Sequence, residues 1–112
     1  MLDADGIAEI IATYRKHTWI LRRVLLTREL NDKLGPAKST LFGDVEIFDS
    51  PMDAVWFSRP PESGPVAWEI RYVGDIPFAL LEKMDENDPE FDRILHSVEV
   101  RLHESISAKK SA

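Results

Sequence analysis

The stretch DAVWFSRPPESGPVAWEIRYVGDI, residues 53–76, constrains the fold more than any other part of the chain. It holds two runs rich in aromatic and β-branched residues, separated by a Pro/Ser/Gly loop, which is the composition of a β-hairpin. If Ser58 faces Val66, then Trp56 lies opposite Trp68, Ala54 opposite Ile70 and Phe57 opposite Ala67. Side chains alternate along a strand, so one face carries Ala54, Trp56, Val66, Trp68, Ile70 and Tyr72. The other carries Val55, Phe57, Arg59, Ala67, Glu69, Arg71 and Val73, apolar groups mixed with charged ones. Two tryptophans on one cross-strand pair make a large apolar anchor for a small domain.

The flanking segments read as helices and further strands. Ile7, Ile10, Ile11 and Tyr14 recur at three- and four-residue spacing and predict a helix over 4–16, with Asp5 as its N-cap. The next stretch, HTWILRRVLLTREL, has two readings. As continued helix, Thr18, Leu21 and Leu25 extend the first stripe. As a strand, Trp19, Leu21 and Leu25 face one way, and Ile20, Val24 and Leu26 the other. The β-branched content and the His17-Thr18 interruption favour a strand from Trp19 to about Leu26. Thr27 then caps a short helix, Arg28 to Leu34, which Gly35-Pro36 ends.

The segment GPAKST reads as a loop and Asp44–Asp49 as a strand. Pro77 marks the start of another strand, Phe78 to Met84, where its missing N–H need not enter the ladder. Asp88-Pro89 has the chemistry of a helix N-cap followed by the first helical position. From there Phe91, Ile94, Leu95, Val98, Leu102 and Ile106 form an apolar stripe to about Ile106, so the last helix must lie on something. Residues 107–112 read as a frayed tail.

Together these features predict one α+β domain over residues 1–112. Its sheet has four or five mainly antiparallel strands, and the first and last helices pack on the tryptophan face. At 112 residues and 44 % apolar composition, the chain can bury one sizeable core without staples. It has no cysteine, which removes disulfides, Cys-based zinc sites and thiol catalysis. The N-terminal MLDADGIAEI lacks the basic and apolar regions of a signal peptide, and no apolar run approaches a membrane span. A soluble cytoplasmic protein without a membrane association is the expectation.

Charge is unevenly distributed. Residues 1–38 hold seven Lys/Arg against five Asp/Glu, a balance of +2, and residues 39–112 hold seven against fifteen, a balance of −8. So acidic a body disfavours nucleic acid. The basic cluster Arg15, Lys16, Arg22, Arg23 and Arg28 is expected to pair with the acidic half of the same chain. In size, acidity and α-then-β-then-α order the chain is similar to small acidic partner-binding proteins such as secretion chaperones. That resemblance implies partner binding and assigns no residue a role.

One constellation has the spacing of a chemical site. On the last helix Asp92, His96, Glu99 and His103 fall within roughly 60° of one another, a spacing that helical metal sites use. One stripe supplies only half a site, and no HExxH or paired Glu-x-x-His motif supplies the rest, so a solvated helix face is the simpler reading. The run DENDPE lacks the central glycine and terminal Glu of a calcium loop. The five glycines are scattered and no serine sits in a Gly-x-Ser-x-Gly elbow, which leaves phosphate-loop and serine-nucleophile chemistry without a motif. No cofactor is implied.

The remaining candidates concern binding. Arg59, Pro60, Pro61 and Pro65 form a stiff hairpin tip beside Trp56 and Phe57. If both helices cover the tryptophan face, the mixed face with Val55, Phe57, Ala67 and Val73, and with Glu69 and Arg71 in its middle, is left for a partner, most simply a twin subunit through a modest or polar interface. The sequence therefore predicts a non-enzymatic protein-binding module acting as a homodimer through Val55, Trp56, Phe57, Arg59, Arg71 and Val73. The alternative is a small-molecule- or metal-binding enzyme with a site between sheet and last helix, using His96, Glu99 and His103.

Overall fold

Residues Ala54–Arg59 form a strand that is buried at every position except its last. Both of its faces are apolar, so both need cover. The computed structural model, which describes residues 2–61 and 64–111, supplies a helical layer on each side. Glu62 and Ser63, in the middle of the expected hairpin tip, lie outside the described residues, as do the two chain ends. In chain order the elements are α1 (Ala4–Lys16), β1 (Ile20–Leu26), α2 (Arg28–Leu34), α3 (Ala37–Phe42), β2 (Ile47–Asp49), β3 (Ala54–Arg59), β4 (Val66–Tyr72), β5 (Ala79–Met84) and α4 (Phe91–Ser111). The strands make one five-stranded sheet in the order β2-β1-β3-β4-β5. It is a mixed sheet of the α+β class, antiparallel except for the β1–β2 pair.

The expectation that first and last helices share the tryptophan face is incorrect. On that face, Leu95, Val98, Leu102 and Ile106 of α4 pack against Trp56, Trp68, Ile70, Tyr72 and Met84. On the opposite face, Ile7 and Ile11 of α1 join Leu30 and Leu34 of α2 and Phe42 of α3 over Leu21, Val24, Val55, Phe57 and Val73. The reason is the apolar content of β3. Val55 and Phe57 are too large to leave in water, so the second face needed its own helices.

The hairpin is present with a register offset of two. Trp56 pairs with Ile70 and Ser58 with Trp68, where Trp56 opposite Trp68 was expected. An even offset keeps every side chain on its face, so the two-face division holds. The tryptophans now meet diagonally, ring centroids 6.2 Å apart in a T-shaped contact.

Strand β1 carries a β-bulge between Leu21 and Arg23, where its register on β3 shifts by one. The extra residue lets Arg22 and Arg23 both lean toward the tryptophan face, Arg22 over Trp68 at 4.7 Å and Arg23 over Phe48 at 4.4 Å. Beyond the bulge the alternation is reversed relative to a regular strand. Leu21 and Val24, expected on opposite faces, share the α1 side.

The parallel β1–β2 pair explains the segment expected to be a loop. A parallel neighbour needs a crossover of a dozen or more residues, and a chain that long is best folded as helix. Residues 37–42 form α3 for this reason, after the short α2. Thr27 Oγ1 accepts the Leu30 N–H at 3.2 Å, the expected cap of α2. The cap of α1, by contrast, is Asp3, which accepts the Gly6 N–H at 2.9 Å, while Asp5 lies in the first turn. Strand β2 is shorter than expected, Ile47–Asp49. Helix α4 continues past Ile106 to Ser111, through residues expected to fray.

Helix α1 ends in a Schellman motif. The Trp19 N–H reaches the Tyr14 carbonyl and the Thr18 N–H reaches the Arg15 carbonyl, each at 3.0 Å. Thr18 occupies the left-handed position at φ 70°, where glycine is the usual residue. The accompanying apolar contact is the T-shaped Tyr14–Trp19 pair, with centroids 6.1 Å apart.

Candidate functional site

Four of the six residues expected to meet a partner are interior. Val55, Phe57 and Val73 are buried under α1–α3, and Trp56 is buried under α4. The mixed face fails as an exposed surface because α1, expected on the tryptophan face, covers its β1–β3 half together with α2 and α3. Its charged members are tied down as well. Tyr14 donates to the Glu69 carboxylate, and Arg71 donates to the Tyr72 carbonyl. Tyr14 also stacks on Phe57 at 4.0 Å, and burial, followed by the Glu69 hydrogen bond, pushes its hydroxyl above the ordinary tyrosine pKa. Arg59 remains exposed and lies over the Trp19 ring at 4.8 Å.

The helical stripe Asp92, His96, Glu99 and His103 does not assemble a metal site. Among the described residues, no group of three or more His, Cys, Asp or Glu side chains is placed to hold a metal ion. Glu99 instead accepts the Trp56 indole N–H at 2.8 Å, with His96 Nδ1 3.8 Å from its other oxygen. Asp92, His96 and Glu99 line a cleft of about 350 Å³ that also contains Arg23 and Phe48. His103 opens onto a different cleft, nearer the end of α4. Of the basic cluster, Arg22 pairs with Glu86 of the acidic half at 2.7 Å and donates to Ser58 Oγ at 3.0 Å, while Arg23 lies over the Phe48 ring.

Two other features stand out as places where something could bind. The first is the free edge of β5, the last strand of the sheet. Helix α1 lies over β1 and β3, so on its side of the sheet Ala79, Leu81 and Lys83 stay exposed. Among the described residues Leu81 is the most exposed large hydrophobic side chain, at 57 %. The direction of the backbone groups follows from one bond. The Tyr72 N–H donates to the Phe78 carbonyl at 2.8 Å, and residues in an antiparallel pair alternate between bonded and non-bonded positions. Leu80, Glu82 and Met84 therefore spend their N–H and C=O groups on β4, at Ile70, Trp68 and Val66. Ala79, Leu81 and Lys83 direct theirs outward, away from the sheet.

The second feature is a cleft of about 300 Å³ where the end of β4 meets the C-terminal part of α4 and the start of α2. Lys110 donates to the Tyr72 hydroxyl at 2.8 Å and lies 3.8 Å from Asp75. Asp53 accepts the Thr27 N–H at 2.7 Å in the same cleft, and Glu29 is on its rim. Gly74 is required here, since a Cβ would lie 2.4 Å from the Tyr72 ring.

Sequence reasoning missed both features for identifiable reasons. Leu81 sits in an alternating strand, and only the sheet order makes that strand terminal. Lys110 is one helical step of four beyond Ile106, on the same stripe, and a helix continued to that point would have placed it beside the sheet. Comparison with protein-family models, curated proteins and solved structures finds no match to this chain. Among the described residues, no helix is long and apolar enough to cross a membrane.

Proposed function

We propose that this protein is a non-enzymatic interaction module whose first partner is a second copy of itself, joined through the free edge of β5. The observation that carries this reading is the outward row of backbone groups at Ala79, Leu81 and Lys83, beside a leucine that is 57 % exposed. An exposed edge of this kind is a template for another strand.

The self-pairing has one favoured register. With Leu81 opposite Leu81 of the second copy, Ala79 falls opposite Lys83, and all three outward-facing residues become bonded pairs. Each such pair exchanges two hydrogen bonds. Shifting by two residues one way sets Glu82 against Glu82, a like-charge pair. Shifting the other way brings Pro77, which has no N–H, into a bonded position. In the favoured register the two exposed leucines shield each other across the two-fold axis, as expected of an isologous interface. Five strands from each copy would form one continuous sheet of ten. The separation of His17, His96 and His103 onto different parts of the surface favours this reading over an enzyme with a histidine-based centre.

Sedimentation equilibrium of the wild type and of Leu81→Pro tests it. The Leu81 N–H is not used within the chain, so proline there leaves the β4–β5 ladder intact. The wild type is expected to be a dimer. The variant should keep its far-UV circular dichroism and dissociate about thirtyfold more readily, from two lost bonds near 1 kcal/mol each. A monomeric wild type, or a variant that associates as tightly as the wild type, contradicts the reading.

A further inference from the structure

Pairing of two β5 edges about Leu81 also brings the charged ends of α4 together. In that register Phe78 falls opposite Met84 of the second copy, at a non-bonded position where Cα atoms stand about 4.5 Å apart. Both side chains point to the α4 face, since both belong to the tryptophan-side core. Lys109, in the last turn of α4, holds its ammonium 5.3 Å from the Phe78 ring centroid, above the outermost strand. Its neighbour Lys110 turns instead to the Tyr72 hydroxyl and Asp75. Met84 ends β5 and leads directly into the acidic turn before α4, residues 85–90. The register therefore sets Lys109 of one copy beside the acidic turn of the other, and the two-fold axis repeats the contact.

Charges left over within one copy match across this boundary. In the acidic turn, Glu86 is taken by Arg22 at 2.7 Å and Glu90 by Arg93. Asp85 and Asp88 accept backbone N–H groups, those of Asn87 at 2.9 Å and Glu90 at 2.8 Å. Among the described residues these two aspartates have no cation, and Lys109 has no carboxylate. Nearer the axis, Leu80 faces Glu82 of the second copy, whose charge is already met by Arg101 of its own α4 at 3.2 Å.

We propose that Lys109 of each copy pairs with Asp85 and Asp88 of the other, as a second layer of the interface on the α4 side. This rests on the β5 pairing proposed above and adds selectivity to it. The strand edge offers only backbone groups and would accept many strands, whereas the charges favour a partner that brings both an acidic turn and a lysine, as a second copy does. Within a single copy the groups are far apart. Lys109 lies about 27 Å along α4 from Phe91, at 1.5 Å per residue, and Asp85 and Asp88 come before Phe91. That separation is several times the screening length of about 8 Å at physiological salt, so any coupling between them is intermolecular.

Sedimentation equilibrium of the full chain at about 0.15 M salt compares the wild type, Lys109→Glu, Asp85→Lys and the double variant, with circular dichroism to check folding. Each single reversal sets like charges together at both symmetric contacts and should weaken the dimer about tenfold. The double variant exchanges the signs and should return to within about threefold of the wild type. Asp85→Asn/Asp88→Asn keeps both turn acceptors while removing the charges, and should weaken the dimer about fivefold even if Asp85→Lys disturbs the turn. A wild-type dimer that Leu81→Pro weakens but these variants leave unchanged overturns the ion pairs and leaves the β5 pairing standing. So does a double variant as weak as the two single effects combined. A monomeric wild type overturns both.

Discussion

Thr18 is held in a conformation that a β-branched residue rarely adopts, because the Schellman motif at the end of α1 demands a left-handed residue at that point. Replacing it with glycine removes the steric cost and keeps both capping bonds. Thr18→Gly is expected to raise stability by about 1 kcal/mol in urea denaturation, after the larger chain entropy of unfolded glycine is subtracted. Tyr14, one turn earlier, gives a prediction with a pH signature. Its hydroxyl is kept protonated by burial and by Glu69, so its folded pKa lies above the unfolded value near 10.0. The folded state then binds more protons than the unfolded state above that pH, and stability falls as pH rises. The contribution is full below pH 10 and is lost with increasing alkalinity. Tyr14→Phe should cost about 1–2 kcal/mol at neutral pH, by leaving Glu69 without its donor, and should lose stability less steeply than the wild type above pH 10. Equal slopes for the two proteins in denaturation curves across that range would contradict the assignment.

At the scale of elements, α2 is the clearest case of local chemistry acting as expected. Thr27 caps it with its side chain and is itself tied to the loop before β3, through the Asp53 carboxylate. Thr27→Ala should cost about 1 kcal/mol in chemical denaturation, with hydrogen-exchange protection lost first in α2. Elements with such local signals were legible in the sequence: the α1 stripe, the Thr27 cap, the Gly35 stop and the two faces of the hairpin. Features that depend on how elements meet were not. The β1 bulge reverses the alternation between Leu21 and Val24, and no periodicity rule anticipates an extra residue. Helix α3 exists because β2 runs parallel to β1, a pairing the local sequence does not announce. One signal was present and under-read. Val55 and Phe57, apolar on the side opposite Trp56, mark β3 as a central strand with helices on both faces.

For the whole molecule, covering β3 on both sides has a consequence at the far edge of the sheet. Helices α1–α3 lie over β1 and β3, Tyr14 of α1 reaches Glu69 on β4, and the same side of β5 stays open, with Leu81 exposed on it. The partner surface expected at Val55, Phe57 and Val73 is therefore interior, and the association proposed above moves to the β5 edge. That edge makes a specific demand: in the favoured register residue 81 of one copy faces residue 81 of the other. Charges introduced there must repel when alike and attract when opposite. The most direct measurement is sedimentation equilibrium of the wild type, Leu81→Glu and Leu81→Lys, with the two variants run separately and as an equimolar mixture. The account predicts a wild-type dimer, two folded monomers, and a dimer restored on mixing. A monomeric wild type, or charged variants that dimerise alone as well as they do together, would contradict it.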